Sequence, residues 1–401
     1  MPKSFLQKTF FQTLLKATRL TGQGSLMDAT RAIQRALAGL GTETPSTTAR
    51  RSPAPDSPLV TPLSNRRPDN GPVSPTNDVT AARPAVLDEP LVHKAPTSAA
   101  KVMAPATRPG AFSASTLQFK GEPYVYWLYV PASTAPSNHA PEPLPLVVLL
   151  HGCQQNALDF AKGTDMNRLA DLHQVVVLYP EQRPKANSGG CWNWFEPTHQ
   201  TRSGEPGMVA ALTRKIIAAS QGDVQIDPHR VYIAGLSAGG AMSAVVAELY
   251  PDIFAAVGVH SGLPAGAAQS MIGAFGAMRR GGPVQTTTAM PTIIFHGTAD
   301  TTVHPANGSY VSDAACAALG SSGLELVKTE QTMHTKGHRS AQRVMYLDNS
   351  GKPFVEHWRV SDGGHAWFGG DASGSYTDPQ GPSASKAMLT FFLQHTQRTE
   401  P

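Results

Sequence analysis

Residues 231–248, VYIAGLSAGGAMSAVVAE, constrain the fold of this chain more than any other stretch. Val231, Tyr232, Ile233 and Ala234 form a short apolar run of β-type residues that meets Gly235 and is followed by small residues and a helical pattern. That order spells strand, turn, helix. In Gly235-Leu236-Ser237-Ala238-Gly239 the serine stands at the turn, where a strained backbone lifts its hydroxyl clear of a sheet. The flanking glycines admit neighbouring backbone without a Cβ clash. A bare G-x-S-x-G recurs by chance in glycine-rich chains, but with a strand before it and a helix after it the match reads as a nucleophile elbow.

The surrounding pattern supplies the sheet that such an elbow needs. From about residue 110 to the end, apolar strands alternate with helices: strands at 124–130, 144–150, 175–179, 254–260, 292–295 and 355–360, and helices at 157–170, 207–220, 304–319 and 384–394. A Gly/Ala/Met-rich segment fills 263–280. This alternation predicts an α/β fold, a mostly parallel sheet with helices on both faces, whose sites lie at the carboxyl ends of the strands. The expected catalytic domain is 110–396.

Two segments precede it. Residues 1–41 read as a basic amphipathic helical pair; in the second helix Leu26, Ala29, Ile33, Leu37 and Leu40 share one face, and Ser25 and Asp28 are placed as a capping box. Such a pair suits an anionic or hydrophobic particle surface, and equally a hairpin docking on its own protein or on a second copy. Residues 42–109 are rich in Pro, Ser, Thr and Ala with hardly an aromatic, the composition of a disordered linker. A net charge of +4 does not point to nucleic acid, and no apolar run approaches the roughly 18 residues of a membrane span. The apolar residues at the start are broken by Gln7, Lys8, Gln12 and Lys16, so no secretory leader is expected and the location reads as cytoplasmic, with extracellular as the alternative.

A serine hydroxyl attacks only when a histidine takes its proton and an acid holds that histidine in the right tautomer. Downstream of the elbow, Asp300 follows the strand in PTIIFHGTADTTV and His365 lies in SDGGHAWFGG after the strand ending at Val360. These two fit the chain order Ser, Asp, His. His296 and His304 flank Asp300 as rival bases, but one ends a strand and the other opens a helix. Asp362, before Gly-Gly, suits a turn. His334 and His338 have i, i+4 spacing, but the Lys336-Gly337 between them suggests a polar loop; neither they nor the cysteines make a zinc pattern, and neither metal nor cofactor is expected. Oxyanion donors would be the N–H of Ala238 and that of Cys153 in HGCQQ, where Gly152 lets the chain fold back. In CWNWF, Trp192 and Trp194 read either as a packing plug or as an aromatic wall for an acyl chain; Trp367, two residues past His365, is a further candidate wall.

The motifs HGCQQ, CWNWF, GLSAGGAM, HSGLP, HGTADTTV and GGHAWFGG occur in order between residues 151 and 370. On them, residues 112–395 resemble the polyhydroxybutyrate (PHB) depolymerase family of esterases, α/β-hydrolases related to feruloyl and acetylxylan esterases. The resemblance implies a serine-dependent ester hydrolase with Ser237, Asp300 and His365 as triad, and Cys153 and Ala238 as oxyanion hole. It also implies a disulfide between Cys153 and Cys191, with Cys316 left as a thiol buried on a helix. The implied substrate is a polyhydroxyalkanoate, its oligomers or a short-chain ester, with residues 1–41 as a possible attachment to polymer granules. A feruloyl or acetylxylan-type esterase is the alternative, and a granule- or surface-binding protein with a vestigial hydrolase domain is the alternative from another class.

Overall fold

The computed structural model describes residues 106–108, 110–134, 142–220, 224–282, 284 and 287–397. The helical segment expected at 1–41 and all but the last few residues of the linker expected at 42–109 lie outside the described residues. In chain order the elements are β1 (Ala106–Arg108), β2 (Ala111–Phe119), β3 (Glu122–Val130), β4 (Ser133–Thr134), β5 (Leu144–Leu150), α1 (Ala157–Thr164), α2 (Met166–His173) and β6 (Val176–Pro180). Then come α3 (Glu205–Ala219), β7 (Ile226–Leu236), α4 (Ala238–Leu249), β8 (Ala256–His260), α5 (Met271–Arg280), β9 (Thr292–Gly297) and α6 (Ala306–Ser321). The chain continues through β10 (Val327–Met333), β11 (Ala341–Leu347), β12 (Pro353–Val360), β13 (Trp367–Phe368), β14 (Thr377–Asp378) and α7 (Ala384–Phe392).

Ten strands make one sheet in the order β10-β11-β12-β9-β8-β7-β5-β6-β3-β2. From β12 to β6 neighbouring strands run parallel, while β3, β2, β11 and β10 pair antiparallel at the two ends. The middle strands are apolar throughout because both faces are covered. Along β5 the two-residue alternation sends Leu146, Val148 and Leu150 into a core with Met208 of α3 and Met242 of α4. Val147 and Leu149 enter the opposite core with Phe160 of α1, Leu169 of α2 and Met388 of α7. The sheet is thus sandwiched between α3 and α4 on one side and α1, α2 and α7 on the other, as the α/β pattern requires.

Three departures from the sequence reading have physical causes. The helix expected at 157–170 is two helices, broken at Asp165, which adopts a left-handed conformation (φ 53°) that Asp tolerates better than most residues. The break lets Gly163 receive a distant loop: a Cβ on Gly374 would lie only 2.3 Å from the Gly163 Cα. Strands β2, β10 and β11 were not expected. They lie at the ends of the sheet, where β10 is exposed along nearly its whole length and so carries no apolar period to read. The Gly/Ala/Met-rich segment contains α5, started by the Ser270 hydroxyl accepting from Gly273 N.

Candidate active site

Every loop that carries a candidate residue leaves a carboxyl end of the parallel strands. Ser237 follows the last residue of β7 and precedes the first of α4, with φ 58° and ψ −120°. No ordinary L-residue rests there without surroundings that enforce it. Close backbone packing does so: a Cβ on Gly235 would lie 2.4 Å from Gly239 backbone, and one on Gly239 would lie 2.2 Å from the Leu150 carbonyl oxygen. The Ser237 N–H donates to the His260 carbonyl at the end of β8 (2.8 Å), and the residue is 8% exposed. Being first in its helix, Ala238 has a backbone N–H with no intrahelical acceptor.

Asp300 lies just beyond β9, and its side chain is buried. Its Oδ1 accepts from the N–H groups of Thr302 (2.9 Å) and Val303 (2.8 Å), which leaves Oδ2 for the Nδ1 of His365 at 2.8 Å. Burial alone would raise the Asp300 pKa, but the His296 ring, its Nε2 3.5 Å from Oδ2, the hydrogen bond with His365 and the Val303 N–H outweigh it and hold the carboxyl well below the usual carboxylate range. An ionised acceptor at Nδ1 puts the imidazole proton there, so Nε2 is the free basic nitrogen. His365 comes from the loop after β12, which is pinned to the loop after β9 by Ala299 N donating to Gly363 O (2.9 Å). Among the described residues no hydrogen bond joins the Ser237 hydroxyl to His365, a contact that resting hydrolases tighten when substrate enters. His296, the rival base, is buried beside Asp300 and donates from Nε2 to the Val303 carbonyl at 2.9 Å. His304 opens the turn into α6 and accepts from Ala306 N (3.2 Å).

The sequence reading missed the residue that joins the elbow to the His365 loop. His260 gives its carbonyl to Ser237 N and its Nε2 to the Phe368 N–H (3.1 Å). Burial, with His296 and His365 nearby, holds it neutral, and its ring stacks on Phe295 and Trp367. The signal was present in HSGLP, but nothing in one dimension says that its histidine faces inward.

The loop after β5 is built around two side chains. His151, pushed down to about 4 by burial, is neutral; it accepts from Gln182 N at Nε2 (3.1 Å), so its Nδ1 donates to the Gly152 carbonyl (2.8 Å). Fixing that carbonyl fixes the same peptide plane's Cys153 N–H on the opposite edge. Gln155 accepts from Gly152 N (2.9 Å) and donates to Asp159 and to the Ser375 carbonyl. Cys153 is bonded to Cys191, as the resemblance implied. Cys316 lies on α6, its thiol pushed up to about 12 by burial.

The three tryptophans are placed differently from the aromatic wall envisaged for them. Trp192 is fully buried with Nε1 donating to the His151 carbonyl (3.1 Å), and Trp194 sits in the same core. Between them Asn193 is clamped by the buried carboxylate of Glu205, which also takes a hydrogen bond from Gln182. Of the two readings of CWNWF, the packing plug describes this arrangement. Trp367 is 1% exposed, edge-on to Phe160, stacked on His260, and donates to the Ser385 hydroxyl (3.0 Å). It presents no surface to a substrate; it anchors the loop that carries His365. The physical reason at Trp192 and Trp367 is that an indole with its N–H satisfied inside gains more from burial than from forming a wall.

This rim offers a serine on a strained turn, an imidazole oriented by a carboxylate, and unpaired backbone N–H groups, the components of acyl transfer. Known proteins bear on what it does. Residues 124–327 match the model of the family described as esterase PHB depolymerase, a span that includes Ser237 and Asp300 and ends before His365. Poly(3-hydroxyalkanoate) depolymerase C of Paucimonas lemoignei is 34% identical over 56% of this chain and 55% of its own length. Poly(3-hydroxybutyrate) depolymerase of Ralstonia pickettii is 36% identical over 37% of this chain and 30% of its own. Acetylxylan esterase A of Emericella nidulans is 31% identical over 35% of this chain and 43% of its own. The chain therefore spans about half or less of the length of these relatives. Among solved structures, an acetyl xylan esterase from Aspergillus awamori superposes with a TM-score of 0.52 at 19% identity, over 70% of this chain and 99% of that one, a likeness of fold.

Proposed function

This chain belongs to the esterase PHB depolymerase family, and from that premise we propose that it hydrolyses carboxylic esters, poly(3-hydroxybutyrate), its oligomers and short-chain esters among them, through Ser237, His365 and Asp300. Ser237 Oγ attacks the ester carbonyl while His365 Nε2 takes its proton. The tetrahedral oxyanion accepts from the N–H groups of Cys153 and Ala238; the alcohol leaves with the proton from His365; water then attacks the acyl-enzyme and Ser237 is restored. Asp300 keeps the His365 Nδ1 proton in place and stabilises the imidazolium. The observation that carries this reading is the 2.8 Å contact from His365 Nδ1 to a buried carboxylate whose other oxygen is already occupied by two N–H groups.

The test is a panel of PHB emulsion, 3-hydroxybutyrate oligomers, p-nitrophenyl butyrate, acetylated xylan and feruloyl sugars, run with wild type and Ser237→Ala. Polymer or oligomer turnover that falls by about 10⁴-fold or more in the variant is the expected result. A preference for acetylated xylan or feruloyl sugars would favour the second reading, supported by the acetylxylan esterase relatives. A granule- or surface-binding protein with a vestigial hydrolase domain would have no activity for Ser237→Ala to remove. No helix among the described residues is long and apolar enough to cross a membrane. The Cys153–Cys191 bond supports an oxidising compartment, and so the extracellular alternative over the cytoplasmic one.

A further inference from the structure

Tyr376 lies between the two loops of the candidate site and belongs to neither motif. Its carbonyl accepts from Trp367 N (2.7 Å), two residues past His365, and the segment after it, β14, pairs with β13. Its phenol donates to Oε1 of Gln154 (2.5 Å), the residue next to Cys153. The side chain therefore spans from the strand that follows His365 to the loop that carries the proposed oxyanion donor. Its residue is 40% exposed, in a rim whose tryptophans are all buried. Both partners adopt left-handed backbone conformations, φ 50° at Tyr376 and φ 63° at Gln154. A bulky residue seldom sits there unless its surroundings hold it. Those surroundings are visible: Ser375 N donates to Asp159 (2.9 Å), and Gln155 Nε2 donates to the Ser375 carbonyl (2.9 Å).

We infer that Tyr376 is a substrate-contacting, specificity-determining residue whose ring forms an apolar side of the ester-binding cleft and packs on the alkyl chain of the acyl group. The inference rests on the reading of Ser237 as nucleophile and adds the chemistry of what lies beside it. A ring tethered at its hydroxyl to the oxyanion loop and at its backbone to the His365 loop meets any acyl chain whose carbonyl oxygen is held by Cys153. Chain length is then felt through ring contact, each methylene in contact contributing free energy. A residue that merely ties two loops would instead affect every substrate alike.

The experiment compares kcat and KM for p-nitrophenyl acetate, butyrate and hexanoate in wild type, Tyr376→Asn, Tyr376→Phe and Gln154→Asn. Asn accepts the left-handed backbone, so the first variant removes the ring without adding strain. With Tyr376→Asn, kcat/KM for hexanoate should fall about 10-fold or more, mainly through KM, while acetate changes less than about 3-fold. Tyr376→Phe keeps the ring but loses its hydroxyl tether to Gln154, so it should weaken the hexanoate-over-acetate preference by no more than a few-fold, far less than the loss of the ring does. Gln154→Asn is too short to reach the phenol and should weaken the hexanoate-over-acetate preference by a few-fold; it decides the matter even if Tyr376→Asn folds poorly. An unaltered profile, or an equal loss on all three esters, overturns the inference while leaving the catalytic reading intact. Absence of any hydrolysis that Ser237→Ala abolishes overturns both.

Discussion

The carboxyl rim of the parallel strands and the β10–β11 end of the same sheet are built on opposite terms. Of the eight non-glycine residues with positive φ among the described residues, five are at the rim: Gln154, Ser237, Ser261, Asp362 and Tyr376; the others are Lys120, Asp165 and Gln174. Buried polar side chains gather there too, among them His151, Gln155, His260 and Asp300. The β10–β11 pair has an unbroken antiparallel register from Val327↔Leu347 to Met333↔Ala341 and is largely open to water along β10. Regular backbone needs little around it, whereas strained backbone and buried polar groups persist only where neighbours over-determine them. The difference shows which region depends on its neighbours to hold its geometry and which does not.

The largest test of that contrast is to cut the bond under the rim. Cys153→Ser with Cys191→Ser releases a loop with a sequence separation of 38 and should lower unfolding free energy by about 4 kcal/mol in the chain-entropy account, measured by denaturant titration. The same variant should lower kcat, because the loop that carries the Cys153 N–H loses its covalent tie and is left with hydrogen bonds, those of His151 and Gln155 among them. Full activity at reduced stability would separate the bond from the chemistry.

Acid should act on the rim next. The His151 pKa is lowered on folding, from 6.5 to about 4, so between these values the unfolded chain binds the proton that the folded chain refuses. Stability is then undiminished above about 6.5 and falls as pH drops towards 4, by roughly 3 kcal/mol for this one group. His357 and His395, both pushed down to about 3 by burial, add to the same slope. The lowered Asp300 pKa works in the same direction, its contribution being lost below the ordinary carboxylate range. Thermal melts from pH 7.5 to 4.5 check the sign, and a flat profile would contradict it. The smallest effect is expected at the other end of the sheet. Lys328→Ala removes the exposed pair with Glu330 (2.7 Å) on β10 and should leave both melting temperature and ester hydrolysis unchanged, since exposed ion pairs are screened. A measurable loss in either would blur the distinction between the two regions.

Much of this molecule was legible in one dimension, for identifiable reasons. The runs 144–150, 231–234 and 292–295 are apolar because they are buried on both faces, and burial on both faces leaves no ambiguity about where a strand lies. Ser237 was legible because an elbow needs small residues on both sides of the nucleophile. Asp300 and His365 were legible as residues in turns directly after such strands, and the structure puts them in contact. The single helix expected at 157–170 and the unassigned β2, β10 and β11 mark the other side. At Asp165 one left-handed residue breaks the helix beside a loop from far along the chain, and at the sheet ends polar side chains face water, so periodicity carries little signal.

The sequence by itself determined an α/β sheet, the strand ends that carry the candidate residues, and the proposed triad among them, because apolar runs, glycine spacing and turn residues are local properties. Tertiary structure alone decided that Trp192, Trp194 and Trp367 are buried anchors while Tyr376 stands in the open, and that His260 and Gln155 brace the rim. Those roles depend on which side chains meet across residues far apart in the chain, such as Gln154 and Tyr376, and a contact over that separation leaves no periodicity to read.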